Sequence, residues 1–162
     1  MVNDADDNSE DRSDTVSVFD GPSSSIQSFA SEAIENRAVA DWISERTKAG
    51  VPAHEIGVFV RSHAQSVCAP AAVTLAGVAF RMLDEQVETS SSHLLIGAMH
   101  LAKGLEFRAI VVMACDDEVV PLLERIETVG EDADLQAFYD TERQLLYVAC
   151  TWANDNLSVT CV

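Results

Sequence analysis

Apolar positions along this chain fall into two patterns: short unbroken runs, and longer stretches in which they recur every three or four residues. Ile56-Gly-Val-Phe-Val60, Leu94-Leu-Ile-Gly-Ala-Met99 and Ala109-Ile-Val-Val-Met-Ala114 are runs of the first kind. Each is short enough for a strand, and the last is rich in β-branched residues. Helical spacing begins after Ser31, a plausible N-cap, and continues until Gly50-Val-Pro52 stops it. Ile34, Ala38, Trp42 and Ile43 are expected to form its buried stripe. A second helix is predicted from about Ala64 to Leu75, closed by Gly77, and a third from about Leu135 to Thr151. Val16-Ser-Val-Phe19, Ile26-Gln-Ser-Phe-Ala30, Val78-Ala-Phe-Arg-Met82 and Leu157-Ser-Val-Thr-Cys161 complete the strand-like pieces.

Apolar strands alternating with amphipathic helices predict an α/β fold, and strands hydrophobic on both faces predict a parallel sheet with helices on each side. Ligands of such sheets collect at the loops that leave the C-terminal strand ends. Those loops are Arg61 to Gln65, His100 to Phe107 and Cys115 to Thr128. Residues 1–14, rich in Asp, Asn and Ser, have too little to bury and are expected to be a disordered acidic tail. Residues 15–162 then form one domain. Glu85 to Ser92 and Glu118 to Asp134 read as polar connections within it.

The 162 residues carry a formal charge of −17, from 10 Lys plus Arg against 27 Asp plus Glu. A surface of that sign repels phosphate backbones and argues against autonomous nucleic-acid binding. The first twenty residues set seven acids against Arg12, so about −11 remains on the rest. Cys68, Cys115, Cys150 and Cys161 stand in apolar surroundings without a C-x-x-C pair, which predicts buried thiols, a reducing compartment and no metal site. With no long apolar run and an acidic N-terminus, a cytoplasmic protein without a membrane segment is expected. No G-x-x-x-x-G-K-[ST] occurs, so no phosphate loop of the usual kind can hold ATP in this chain.

Only two lysines exist, Lys48 and Lys103. Lys103 lies in Met99-His-Leu-Ala-Lys-Gly-Leu-Glu-Phe107, a connection between two predicted core strands. His and Lys can contact phosphates, Gly lets backbone approach a ligand closely, and a Glu accepts hydrogen bonds from sugar hydroxyls. On spacing alone this stretch reads equally as a capped turn with solvated charges.

His100-x-x-Lys103-Gly104-Leu105-Glu106-Phe107 resembles motif V of the UvrD/Rep superfamily 1 DNA helicases. Glu142-Arg143-x-Leu145-Leu146-Tyr147-Val148-Ala149-x-Thr151 resembles their motif VI, and Ile56-Gly-Val-Phe-Val-Arg61-Ser-His-Ala-Gln65 is similar to motif IV. The three stand in the family's order. The resemblance spans about residues 26 to 161 and implies the second RecA-like lobe of such a helicase, a P-loop NTPase-like sheet without the phosphate loop. It further implies an N-terminal ATP-binding lobe as partner, ATP with Mg2+ held mainly by that lobe, and single-stranded DNA crossing both lobes during 3′ to 5′ translocation. By this resemblance Arg61 reaches the γ-phosphate as the catalytic arginine, Gly104 and Glu106 lie near the nucleotide, and His100 and Lys103 face DNA.

The sequence departs from the family directly after Thr151, where the motif VI arginine is replaced by Trp152. An indole has one N–H donor and no charge, so it cannot replace a guanidinium at a transferring phosphate. The expectation is a lobe that supports hydrolysis poorly and is inactive alone, or a catalytically silent docking module derived from one. An unrelated receiver-like or flavodoxin-like domain would need an acidic pocket or flavin loop at the first strand end, and Phe19-Asp-Gly-Pro gives it little support. Read without the family, Arg61 pairs with Glu55 or Asp84 at the surface, and His100 and Tyr147 belong to the core. Glu142 and Arg143 then serve the helix dipole and a neighbouring ion pair.

Overall fold

A computed structural model describes residues 2–3, 9–10, 24–61, 67–83, 92–101, 104–114 and 132–162. Within the acidic N-terminal segment, β1 (Val2–Asn3) pairs antiparallel with β2 (Ser9–Glu10), apart from the main sheet. The strand-like piece Val16 to Phe19 and the polar connection Glu85 to Ser91 lie outside the described residues, as does most of Glu118 to Asp134.

Six strands form the main sheet: β3 (Ser25–Ser28), β4 (Ile56–Val60), β5 (Phe80–Met82), β6 (Leu94–Ala98), β7 (Phe107–Val112) and β8 (Ala153–Cys161). Their order is β3-β8-β7-β4-β6-β5, and every pairing is parallel. The apolar runs occupy the centre because β4, β6 and β7 are covered on both faces, where alternating polar positions would be left without water. Three helices do the covering: α1 (Glu32–Lys48), α2 (Cys68–Ala76) and α3 (Asp132–Thr151).

Side chains alternate across a strand, so each contributes to two cores. Ile56, Val58 and Val60 of β4 join Leu94, Ile96, Ala109 and Val111 beneath α1 and α2. Phe59 of the same strand joins Leu95, Ile110 and Val112 on the other face, with Ala149, Leu145 and Leu146 of α3. Gly57 permits close packing on this second face. A Cβ there would stand 2.5 Å from the Phe59 ring, which lies over the glycine.

Ser31 caps α1 as expected, with its hydroxyl accepting from the Ile34 N–H at 3.4 Å. The buried stripe differs from the expected one. Ile43 is buried and Trp42 packs against the core as expected, but Ile34 is 51% exposed, and the helix also buries Glu35, Asn36, Val39 and Ala40. Glu35, Val39 and Ile43 repeat at four-residue spacing and define the inward face. A carboxylate is tolerated there because its Oε1 accepts from Thr160 Oγ1 of β8 at 2.6 Å and from the Ala114 N–H at 3.0 Å. Ala114, just beyond β7, adopts a left-handed conformation with φ of 53°, and the Glu35 contact holds that turn. Arg46 adds a second tie from α1 to β8 by donating to Asn156 Oδ1 at 2.6 Å. The cysteines also differ in part from expectation. Cys68 is buried, Cys150 and Cys161 are half-buried, and Cys115 lies outside the described residues.

Candidate functional site

The motif-like segments converge on the sheet face covered by α3. Arg61 follows β4 and continues its alternation, so it projects from the same face as Phe59. Its guanidinium meets Glu142 fork to fork: Nε donates to Oε2 at 2.5 Å and Nη2 donates to Oε1 at 2.5 Å. The two side chains are 8% and 2% exposed. Arg61 is therefore neither a surface residue nor a partner of Glu55, which contacts Arg108 at 3.6 Å. A bidentate arginine–carboxylate pair fixes the plane of both groups, and burial removes the water that would otherwise weaken it.

Glu142 occupies the middle of α3, more than two turns from either end, so the helix dipole does not explain it. It lies in register with the buried Phe138 and Ala149 on the stripe that faces the sheet. Arg143, by contrast, is exposed and approaches Asp140 at 3.9 Å. Tyr147 is 69% exposed and does not belong to the core. The helical phase that buries Glu142 and Ala149 turns position 147 toward solvent.

The motif V stretch leaves β6 through a short 3-10 turn, Met99–Leu101, that packs against α3. Met99 is buried and His100 exposed, so the histidine is not a core residue. Gly104 has φ of +85° with nothing within 4 Å of a built Cβ, so its requirement is conformational. Glu106 is exposed, and Lys103 lies outside the described residues. Trp152 follows α3 in a turn whose carbonyl accepts from the Phe107 N–H at 3.0 Å. Its ring meets Phe59 edge on, with centroids 5.9 Å apart, and Phe59 in turn meets Phe107 at 5.4 Å.

All strands of the main sheet run one way, which sorts these residues by edge. Arg61 and His100 follow their strands and share the C-terminal edge with the start of the crossover. Gly104 and Glu106 precede β7, and Trp152 precedes β8, at the opposite edge. The crossover of residues 99–106 connects the edges, and α3 runs between them with Glu142 near one and Trp152 at the other. Phe59 lies between Arg61 and Trp152 on one face. The structure thus brings Arg61 to Glu142 and Trp152 to Phe59, and separates Arg61 from Gly104 and Glu106 along the strand direction.

Two residues of consequence, Glu142 and Glu35, were not singled out as site or core residues by sequence reasoning. Both carried one legible signal. Each is an acid standing in phase with the apolar stripe of its helix, where a charge needs a partner.

Residues 72–162 match the UvrD-like helicase C-terminal domain family. The chain belongs to that family. Within it, the chain is similar to a Bacillus subtilis (strain 168) protein named "Putative ATP-dependent DNA helicase YjcD", 34% identical over 79 residues. That match takes in 48% of this chain and 10% of YjcD, so the chain spans a small part of the relative it resembles. In fold, this UvrD-like helicase C-terminal domain is similar to the crystal structure of the C-terminal domain of a possible DNA helicase from Lactobacillus plantarum WCFS1. The TM-score is 0.58 at 20% identity, over 88% of this chain and 74% of the other. Among the described residues, no helix of this domain is long and apolar enough to cross a membrane.

Proposed function

We propose that this chain is the C-terminal motor lobe of an ATP-dependent 3′ to 5′ DNA helicase, working in the cytoplasm by closing on an N-terminal ATP-binding lobe. The observation that carries the reading is membership of the UvrD-like helicase C-terminal domain family by a sequence without a phosphate loop. A lobe so built must meet nucleotide phosphates held by another lobe. ATP with Mg2+ supplies the transferable phosphoryl group, and the chain's own residues provide charge and shape around it.

Arg61, expected as the catalytic arginine at the γ-phosphate, lies at the strand ends opposite Gly104, Glu106 and Trp152 and is held by Glu142, so the reading does not rest on it. Gly104 gives the motif V backbone the left-handed turn that lets it approach the nucleotide, and the exposed Glu106 accepts from sugar hydroxyls. His100, exposed beyond β6, contacts single-stranded DNA together with Lys103. Because the net charge of −17 opposes DNA binding by the lobe alone, strand capture depends on the assembled helicase.

Trp152 supports a second reading. It stands where the family's second γ-phosphate arginine belongs, and its ring packs on Phe59. With Arg61 already paired, such a lobe serves as a catalytically silent docking module. DNA-stimulated ATPase of the chain mixed with a separately produced ATP-binding lobe decides between the two. Turnover above that of the ATP-binding lobe alone, raised further by Trp152→Arg, supports the motor lobe. Association without turnover in either form supports the docking module.

A further inference from the structure

We infer that Glu35 is the positioning residue for the C-terminal edge of the sheet, holding the chain exits beside which single-stranded DNA passes. The inference rests on the reading of His100 as a DNA-facing residue and adds to it the device that keeps that edge in shape. Glu35 stands on the inward stripe of α1 with Val39 and Ile43 and is 1% exposed, so an apolar side chain there would complete the stripe. A buried carboxylate in such a place carries a desolvation cost that an apolar side chain avoids. What it gains is a hold on two chain exits. Its Oε1 accepts from Thr160 Oγ1, near the end of β8, and from the N–H of Ala114, just past the end of β7.

The hold falls where the backbone needs it. Ala114 has φ of 53°, and a residue with a Cβ occupies that left-handed region at a cost unless its surroundings impose it. Among the described residues it is the one non-glycine position with positive φ. One residue earlier, the Met113 N–H donates to the Phe59 carbonyl at 2.9 Å, which ties the end of β7 to β4. The strand order β7-β4-β6 then sets the Ala114 turn on one side of the β4 exit and His100, after β6, on the other. Cys68, at the start of α2, feels the same carboxylate: burial first, and Glu35 after it, push its thiol up to about 11. One side chain from α1 thus reaches the ends of β7 and β8 and acts on the start of α2. A phosphate backbone crossing this edge meets groups whose spacing these exits fix, and phosphate contacts set the register of a bound strand.

The test joins the full chain by a flexible linker to an ATP-binding helicase lobe. The affinity of a fluorescein-labelled oligothymidylate is measured across a salt series, with Mg2+–ADP affinity beside it. Glu35→Ala is expected to weaken oligothymidylate binding about tenfold, within the range by which residues without ligand contact modulate binding. The salt slope should fall by about one phosphate contact, while ADP affinity stays native. Both hydrogen bonds end on one oxygen, so Glu35→Gln can keep them through its carbonyl and should bind DNA as the native chain does. Glu35→Asp retains the charge but is one methylene too short to keep both. It should behave like the alanine variant and decides the question if that variant does not fold. A merely structural Glu35 would weaken DNA and ADP alike at the native salt slope, and that result overturns the positioning role. The role is also overturned if His100→Ala lowers DNA affinity while Glu35→Ala and Glu35→Asp keep it, an outcome that leaves the DNA-facing edge standing. If His100→Ala itself changes nothing, the DNA-facing reading fails and this inference falls with it.

Discussion

Removing Arg61 alone should damage the fold more than removing the whole ion pair. Arg61→Met leaves the Glu142 carboxylate 2% exposed with its fork partner gone. Breaking a buried ion pair by removing one partner costs about 3–5 kcal/mol. Against the roughly 5–15 kcal/mol that holds a domain of this size together, a fifth or more of the stability is lost. Arg61→Met combined with Glu142→Leu replaces the pair by apolar side chains beneath the Phe59 cluster. Such exchanges are neutral or stabilising by about 1–4 kcal/mol, so the double variant should recover native stability or exceed it. The assay is urea unfolding followed by far-UV circular dichroism and by tryptophan fluorescence. The two tryptophans divide the work: Trp42 packs on the core under α1 and α2, Trp152 on the core under α3. Coincident transitions with equal slopes license the comparison of midpoints. A loss below about 1 kcal/mol for Arg61→Met would place the pair among ordinary surface contacts and refute its burial. A double variant as damaged as the single one would show that lost packing, not the broken ion pair, is responsible.

Two further outcomes follow from the opposite face of the sheet. Glu35→Ala should orphan the Ala114 N–H and the Thr160 hydroxyl, at about 1–3 kcal/mol for a buried group left unsatisfied, while Glu35→Gln, which keeps an acceptor, should lose less. Hydrogen exchange at Ala114 should accelerate in the alanine variant, and an unchanged rate would contradict the assigned contact. The Cys68 thiol is pushed up from 9.0 to about 11, first by burial and then by the Glu35 and Glu32 carboxylates. The fold favours its neutral form, so the stability it contributes is complete below pH 9 and lost as pH rises toward 11. The native protein's advantage over Cys68→Ala in urea should shrink across that window, and an advantage constant to pH 11 would contradict the shift.

The central strands were legible because burial on both faces demands an unbroken apolar run, and nothing else in the chain competes with Ile56 to Val60, Leu94 to Met99 and Ala109 to Ala114. The ends of α1 were legible because Ser31 and Gly50 act locally. Its buried face was not. Hydrophobicity alone selects Ile34, Ala38 and Trp42, whereas the structure turns Glu35 inward because β7 and β8 supply two donors from residues 79 and 125 positions away. Tyr147 was misread for a related reason, since an aromatic residue beside Leu146 resembles core until the phase of the helix is known. Arg61 was legible as a residue of interest, but its partner was not. The pair spans 81 positions and becomes visible only when α3 is laid across the end of β4. Likewise the motif V loop was expected wholly at the C-terminal strand ends. Its crossover starts there at His100 and delivers Gly104 and Glu106 to the other edge, because β7 is parallel to β6 and must be entered from its far end.

The most direct test of the motor-lobe account is the DNA-stimulated ATPase of this chain mixed with a separately produced ATP-binding lobe, in native and Trp152→Arg forms. The account predicts weak stimulation by the native chain and a strong rise with arginine. Two lobes that demonstrably associate yet show no stimulation in either form would contradict it and leave a docking module.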